Sequence, residues 1–179
     1  MFVLSQVCAI LAGAFIVPSY FVKNKITVLC CGIACNLMFS LQYFFLHAYT
    51  GTIINLVMIL PLIWYFFFNQ RKRKIPIYVL ILCEGVSIVC TLLSWANFIS
   101  IFPLFASMTY IFATWQDNLL IYKWLSIVNT GLWNIYAILT FSPFTIVIES
   151  ILLIVNIIAL ITEYRNNSAH LNQERNKID

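Results

Sequence analysis

Runs of about 20 apolar residues recur seven times along this chain, with breaks of only a few residues between them. They cover residues 2–22, 26–47, 50–69, 75–95, 97–115, 119–140 and 143–163. A helix rises about 1.5 Å per residue, so each run matches the roughly 30 Å hydrocarbon core of a bilayer. Of 179 residues, 63% are hydrophobic and 9% are charged, against about 25% charged in soluble domains. So apolar a chain cannot bury its hydrophobic residues in one core and still present a wetted surface, so lipid is the solvent for most of it. The expected fold is an all-α membrane protein of seven transmembrane helices. Residues 2–22 are read as a retained first span rather than a leader. No basic segment precedes Phe2, and no small-x-small site leads into a soluble domain.

The basic residues give the direction. All ten Lys and Arg are Lys23, Lys25, Arg71, Lys72, Arg73, Lys74, Lys123, Arg165, Arg175 and Lys177. With seven spans they all fall on one side, in the first and third loops, in the first turns of the sixth run beside the fifth loop (Lys123), and in the tail. The second, fourth and sixth loops carry none. Positive charge marks the cytoplasmic side, which places the N-terminus outside and the C-terminus inside. A different span count would scatter these charges over both faces. The run Arg71–Lys74 and the formal net charge of +4 are accounted for by topology and anionic lipid headgroups, without a nucleic-acid partner. The polar tail 165–179 reads as a frayed helix end or a disordered segment.

The chain also repeats itself. Asn36, Ser40, Tyr43 and His47 in the second run match Asn129, Trp133, Tyr136 and Thr140 in the sixth at an offset of 93 residues. Both sets form one stripe on a helix. A one-residue gap then aligns Asn55 with Glu149, and Val17–Tyr20 can be laid against Ser107–Tyr110. Three spans reverse the chain direction, so a single extra span restores it. The expected layout is 3+1+3: a triple-helix unit at 1–70, a linker helix at 75–95 and a second unit at 97–164. The two units are parallel repeats about an axis along the membrane normal.

Polar groups at membrane depth are expensive and mark functional sites. Glu149 lies one to two turns into the seventh run, with Asn156 on the same face. Asn55, from the first repeat, is expected opposite, flanked by Trp133 and Tyr136. A carboxylate, two amides and aromatic faces suit a hydroxylated or cationic solute. Bonding between helices is the competing reading for the asparagines. Glu84 forms a polar stripe with Ser87 and Thr91 on the linker helix, which can serve coupling or simply docking. Trp64, Trp95, Trp115 and Trp124 lie near span ends, as interfacial anchors do. The six cysteines lie in apolar stretches without C-x-x-C spacing and act as small helix-contact residues. The motifs of zincins, serine hydrolases and nucleotide-binding loops are missing from the sequence, which argues against an enzyme and a cofactor.

The order of these features resembles the SWEET, MtN3 and PQ-loop superfamily, and within it the small bacterial inner-membrane proteins of the YgjV type. The segments that carry the likeness are Leu41–Leu46, Ile54–Asn55, Thr114–Trp115, Trp124, Trp133–Tyr136, Ile148–Glu149 and Asn156. The resemblance implies a central cavity between two triple-helix units and passage of a small polar solute, sugar-like or vitamin-like, by alternating access. It also implies hinge prolines in the first helix of each repeat, for which Pro18 and Pro103 are the candidates, at unequal depths. The Pro-Gln dipeptide is missing, and so are the dense aromatic motifs of PnuC-type vitamin carriers. The expectation is therefore a small secondary transporter or facilitator in a bacterial inner membrane. Asn55, Trp133, Tyr136, Glu149 and Asn156 would bind solute, and Glu149, Glu84, Pro18 and Pro103 would gate or couple. Its partners are the solute and membrane lipids. One chain suffices to enclose a cavity, and a homodimer stays open. The rival reading is a receptor or scaffold acting through the basic face.

Overall fold

The computed structural model describes residues 1–19, 25–71, 74–116 and 118–175, and gives the backbone alone at Pro18, Ser19, Lys25, Val28, Leu119, Glu163 and 166–175. Tyr20, Lys23, Lys72 and Arg73, and the side chain of Pro18, lie outside the described residues.

The described secondary structure is helical. The helices are α1 (Phe2–Ser19), α2 (Lys25–Phe45), α3 (Tyr49–Val57), α4 (Ile59–Gln70), α5 (Ile77–Leu93), α6 (Ile101–Trp115), α7 (Leu119–Leu139) and α8 (Pro143–Arg175). A short 3-10 turn, Phe98–Ser100, leads into α6. Only Met58 separates α3 from α4. The cause is Pro61, which has no N–H to offer the Val57 carbonyl one turn back, so the ladder breaks there. The two halves make one bent rod, and the described helices form seven rods. Local chemistry sets other boundaries. Pro76 stands extended before α5. The Asn118 carbonyl oxygen caps α7, accepting from the N–H of Leu120 and Ile121 at 3.0 and 3.3 Å.

Three rods are long and apolar enough to cross a membrane: Tyr49–Gln70, Phe98–Trp115 and Pro143–Thr162. Shorter apolar helices cover Phe2–Val17, Leu29–Phe45 and Ile77–Leu93. Burial is inverted relative to a soluble protein. Leu60, Ile81, Leu92, Ile154 and Ile158 point outward, whereas Gln42, Asn55, Thr145, Glu149 and Asn156 are buried. In lipid the apolar exterior costs nothing, and polar groups gain by pairing inside.

The helix contacts close a cycle of six rods: α1 to α2, α2 to α3 and α4, α3 to α6, α6 to α7, α7 to α8, and α8 back to α1. The remaining helix, α5, packs on α3, α4 and α6 from outside the cycle. The connections separate to two ends. Thr50 donates to the Ser94 carbonyl at 2.7 Å and lies 3.0 Å from the Ser100 hydroxyl, joining the α2–α3 and α5–α6 connections. At the other end the Trp115 indole donates to Ile75 O and Lys123 Nζ to Ala159 O, at 3.1 and 3.0 Å.

The corners after α2 and α7 have the same geometry. In one, the N–H groups of His47 and Ala48 donate to Phe44 O and Tyr43 O. In the other, Phe141 and Ser142 donate to Ile138 O and Ala137 O. Both are Schellman caps, and the turning residues His47 and Phe141 have φ of 57° and 52°. The tail differs from its sequence reading, because α8 continues to Arg175. Residues 163–175 contain neither Pro nor Gly and include Glu, Ala, Leu, Gln and Arg, which favour helix.

Candidate functional site

Inside the cycle of helices lies a cavity of about 80 Å³. Its wall is built from α1 (Ile16), α2 (Cys35, Asn36, Phe39, Tyr43), α3 (Asn55), Met58, α6 (Tyr110), α7 (Asn129, Thr130, Trp133) and α8 (Glu149, Leu152). Twelve of these thirteen residues form six pairs 94 positions apart: Ile16 with Tyr110, Cys35 with Asn129, Asn36 with Thr130, Phe39 with Trp133, Asn55 with Glu149, and Met58 with Leu152. The helices obey the same shift, since α2 and α7 begin at 25 and 119 and end at 45 and 139.

Hydrogen bonds between the two groups repeat at this offset. Gln42 Nε2 donates to Ser142 Oγ and Thr145 Oγ1 at 2.6 and 2.5 Å. Its counterpart 94 positions on is Tyr136, whose hydroxyl accepts from the N–H of Gly51, the counterpart of Thr145, at 3.1 Å. Gln6 Oε1 accepts from Phe144 N at 3.2 Å, and their counterparts Ser100 and Thr50 meet through hydroxyls at 3.0 Å. The register therefore differs by one residue from the 93-residue alignment of the stripes. His47 answers to Phe141, not Thr140. For the first helices the offset grows from 90 to 94, which sets Ile16 against Tyr110 and Pro103 against Ala9. Side-chain identity misled the alignment because the stripes contain similar residues one step apart, such as Asn36 and Asn129.

The cavity joins three of the sequence candidates, Asn55, Trp133 and Glu149, with Asn36 and Asn129 of the stripes. Asn55 and Glu149 are 3% and 6% exposed. Asn36 Nδ2 donates to Gly32 O at 2.7 Å, and Asn55 Nδ2 donates to Gly51 O at 2.8 Å. Only the NH2 end of an amide can donate to a carbonyl, so both amides have their oxygens directed away from their own helices. Among the described residues none hydrogen-bonds the Glu149 carboxyl, and the Tyr43 hydroxyl and Asn129 Oδ1 are buried without a partner. Tyr43 stacks on Trp133, with centroids 5.8 Å apart, and tilts against Tyr136 at 5.1 Å.

Above the tyrosines lies a second pocket of about 210 Å³, lined by the connections at 46–50 and 96–100 and by Tyr136, Leu139 and Thr140. Tyr43 and Tyr136 stand between the two spaces. Tyr136 can lie this close because residue 51 is glycine, where an added Cβ would sit 2.7 Å from its ring.

The family model of bacterial inner membrane proteins designated Imp-YgjV matches residues 3–167. The chain belongs to this family. No curated protein and no solved structure matches it significantly. The match to Imp-YgjV places the chain in a bacterial inner membrane, in keeping with its apolar rods.

The other candidates of this Imp-YgjV chain lie away from the cavity. Asn156 is buried behind the wall, where its Nδ2 donates to Thr130 Oγ1 at 3.1 Å. Tyr136 faces the upper pocket. Glu84 is half-buried on α5, outside the cycle, with Oε2 unpartnered among the described residues. Pro103 is packed within α6. Ile16, Cys35, Phe39, Met58, Tyr110, Thr130 and Leu152 were not singled out by the sequence. Being mostly apolar or small, they give no signal until the structure sets them in the cavity wall in pairs 94 positions apart.

Proposed function

We propose that the protein is a small secondary transporter or facilitator, built as 3+1+3 parallel repeats, that moves a small polar metabolite through its central cavity. The observation that carries this is the six-pair symmetry of the cavity wall at an offset of 94 residues. Paired helices around a polar centre supply two equivalent halves that can rock about one site, as alternating access requires. At about 80 Å³ the cavity holds several water molecules but lies well below the roughly 300 Å³ at which small-molecule pockets begin. The Tyr43–Tyr136 pair separates this cavity from the upper pocket. Opening there would admit solute from that side. Glu149 is the acid in the wall and the residue through which proton coupling would run. Glu84, Pro18 and Pro103 are assigned no direct solute contact.

Purified protein in proteoliposomes tests the reading against a panel of labelled sugars and vitamins. Uptake above empty vesicles is expected, and Glu149→Gln should change its rate and pH dependence. Unchanged behaviour of that variant removes the coupling role. If no compound enters, the receptor or scaffold reading takes over, with function that depends on Arg71–Lys74. The seven-span topology, N-terminus out and C-terminus in, is part of the proposal, and the distribution of basic residues supports it. A reporter enzyme active only outside the cytoplasm should stay silent when fused after Asp179, and activity there would reverse the orientation.

A further inference from the structure

The chemistry of the cavity wall is lopsided. Asn36 and Asn55 each donate one N–H to their own helix, which turns the amide oxygen away from that helix. Asn129 Oδ1 and the Tyr43 hydroxyl are buried without a partner among the described residues, and Glu149 contributes a buried carboxyl. Among the described residues the wall contains no Lys or Arg. Beside the acceptors stand the faces of Tyr43 and Trp133, stacked at 5.8 Å, and the apolar side chains of Phe39, Met58 and Leu152.

The wall sets one acid and an unpartnered amide oxygen against no basic side chain among its described residues. A group that only donates, and carries a positive charge, satisfies it. An ammonium has three donors and no acceptor, pairs with a carboxylate by charge-assisted bonds, and is attracted to aromatic faces. A bare alkali ion would use the oxygens but not the apolar side. A cavity of about 80 Å³ also suits a compact head group better than a sugar ring.

We propose that the cavity takes the ammonium head of a small organic amine, with Glu149 as counter-charge, Asn36, Asn55 and Asn129 as acceptors, and Tyr43 and Trp133 as the aromatic wall. This rests on reading the cavity as the solute site, and it assigns the class of solute. The test is calorimetric titration of the purified full-length protein with propylammonium, its neutral analogue 1-propanol, glucose and Na⁺. Propylammonium should bind at least tenfold more tightly than 1-propanol, with glucose weaker still. Glu149→Gln should abolish the preference, Glu149→Asp should keep it, and Asn55→Leu should weaken amine binding severalfold. Circular dichroism and gel filtration establish that each variant is folded. Equal binding of amine and alcohol, retention of the preference in Glu149→Gln, or binding of Na⁺ without the amine would each overturn the proposal. Flux separates it from the transport reading. Amine binding without uptake of any solute leaves the cation site standing and removes transport, whereas sugar uptake without amine binding does the reverse.

Discussion

Asn55 and Glu149 occupy corresponding turns of α3 and α8 and look into the same cavity. One amide donates to its own helix, and the other position holds a carboxyl without a described donor. Other corresponding positions of the wall also differ: Cys35 corresponds to Asn129, Phe39 to Trp133, and Ile16 to Tyr110. At the corners the halves agree instead, with matching Schellman caps after α2 and α7. The corner geometry recurs 94 residues on, while the cavity side chains at corresponding positions differ. In the proposed transporter a frame of two like halves would serve a motion between equivalent states, and recognition of a solute would require a wall with polarity of its own. The frame is constrained by hydrogen bonds that a bilayer cannot replace, so it tolerates little change.

The largest effect is expected where the two halves interlock unequally. At Gly51 a Cβ would lie 2.7 Å from the Tyr136 ring, while at Gly131 it would meet nothing within 4 Å. Gly51→Ala should therefore destabilise the protein by about 1–3 kcal/mol, the usual cost of overpacking, and weaken the closed tyrosine pair. Gly131→Ala, inside α7, should stabilise it by about 0.5–1 kcal/mol through helix propensity. Thermal unfolding in detergent measures both, and equal shifts for the two alanines would contradict the close approach of Tyr136.

A smaller effect tests the agreement of the corners. A left-handed turn costs a residue with a side chain roughly 1–2 kcal/mol, which glycine avoids. His47→Gly and Phe141→Gly should each raise stability, by about 1 kcal/mol or less. Phe141 is almost fully exposed, and His47 makes one exposed contact, to the Tyr49 hydroxyl at 3.1 Å. Stabilisation of one corner and loss at the other would mean that the caps differ in role.

Much of this was legible in the sequence. The apolar runs match the rods closely, because hydrophobic length is a local property that lipid reads directly. The break at Met58 follows from Pro61, a signal present in the sequence that the even hydrophobicity of residues 50–69 conceals. Asn55 and Glu149 stood out because polar groups are rare in such runs, and they meet in the cavity. The correspondence between the second and seventh helices was visible too, though one residue out of step with the 94-residue spacing of the cavity wall. Residue identity alone determined that the chain is helical and apolar, since those traits depend on composition and spacing. Only the tertiary structure decided the register, the withdrawal of Asn156 behind Thr130, and the meeting of Glu149 with Asn55 and Asn129 in one cavity. Each of these depends on which atoms of distant helices come within hydrogen-bonding reach, and that geometry arises when six rods close into a cycle.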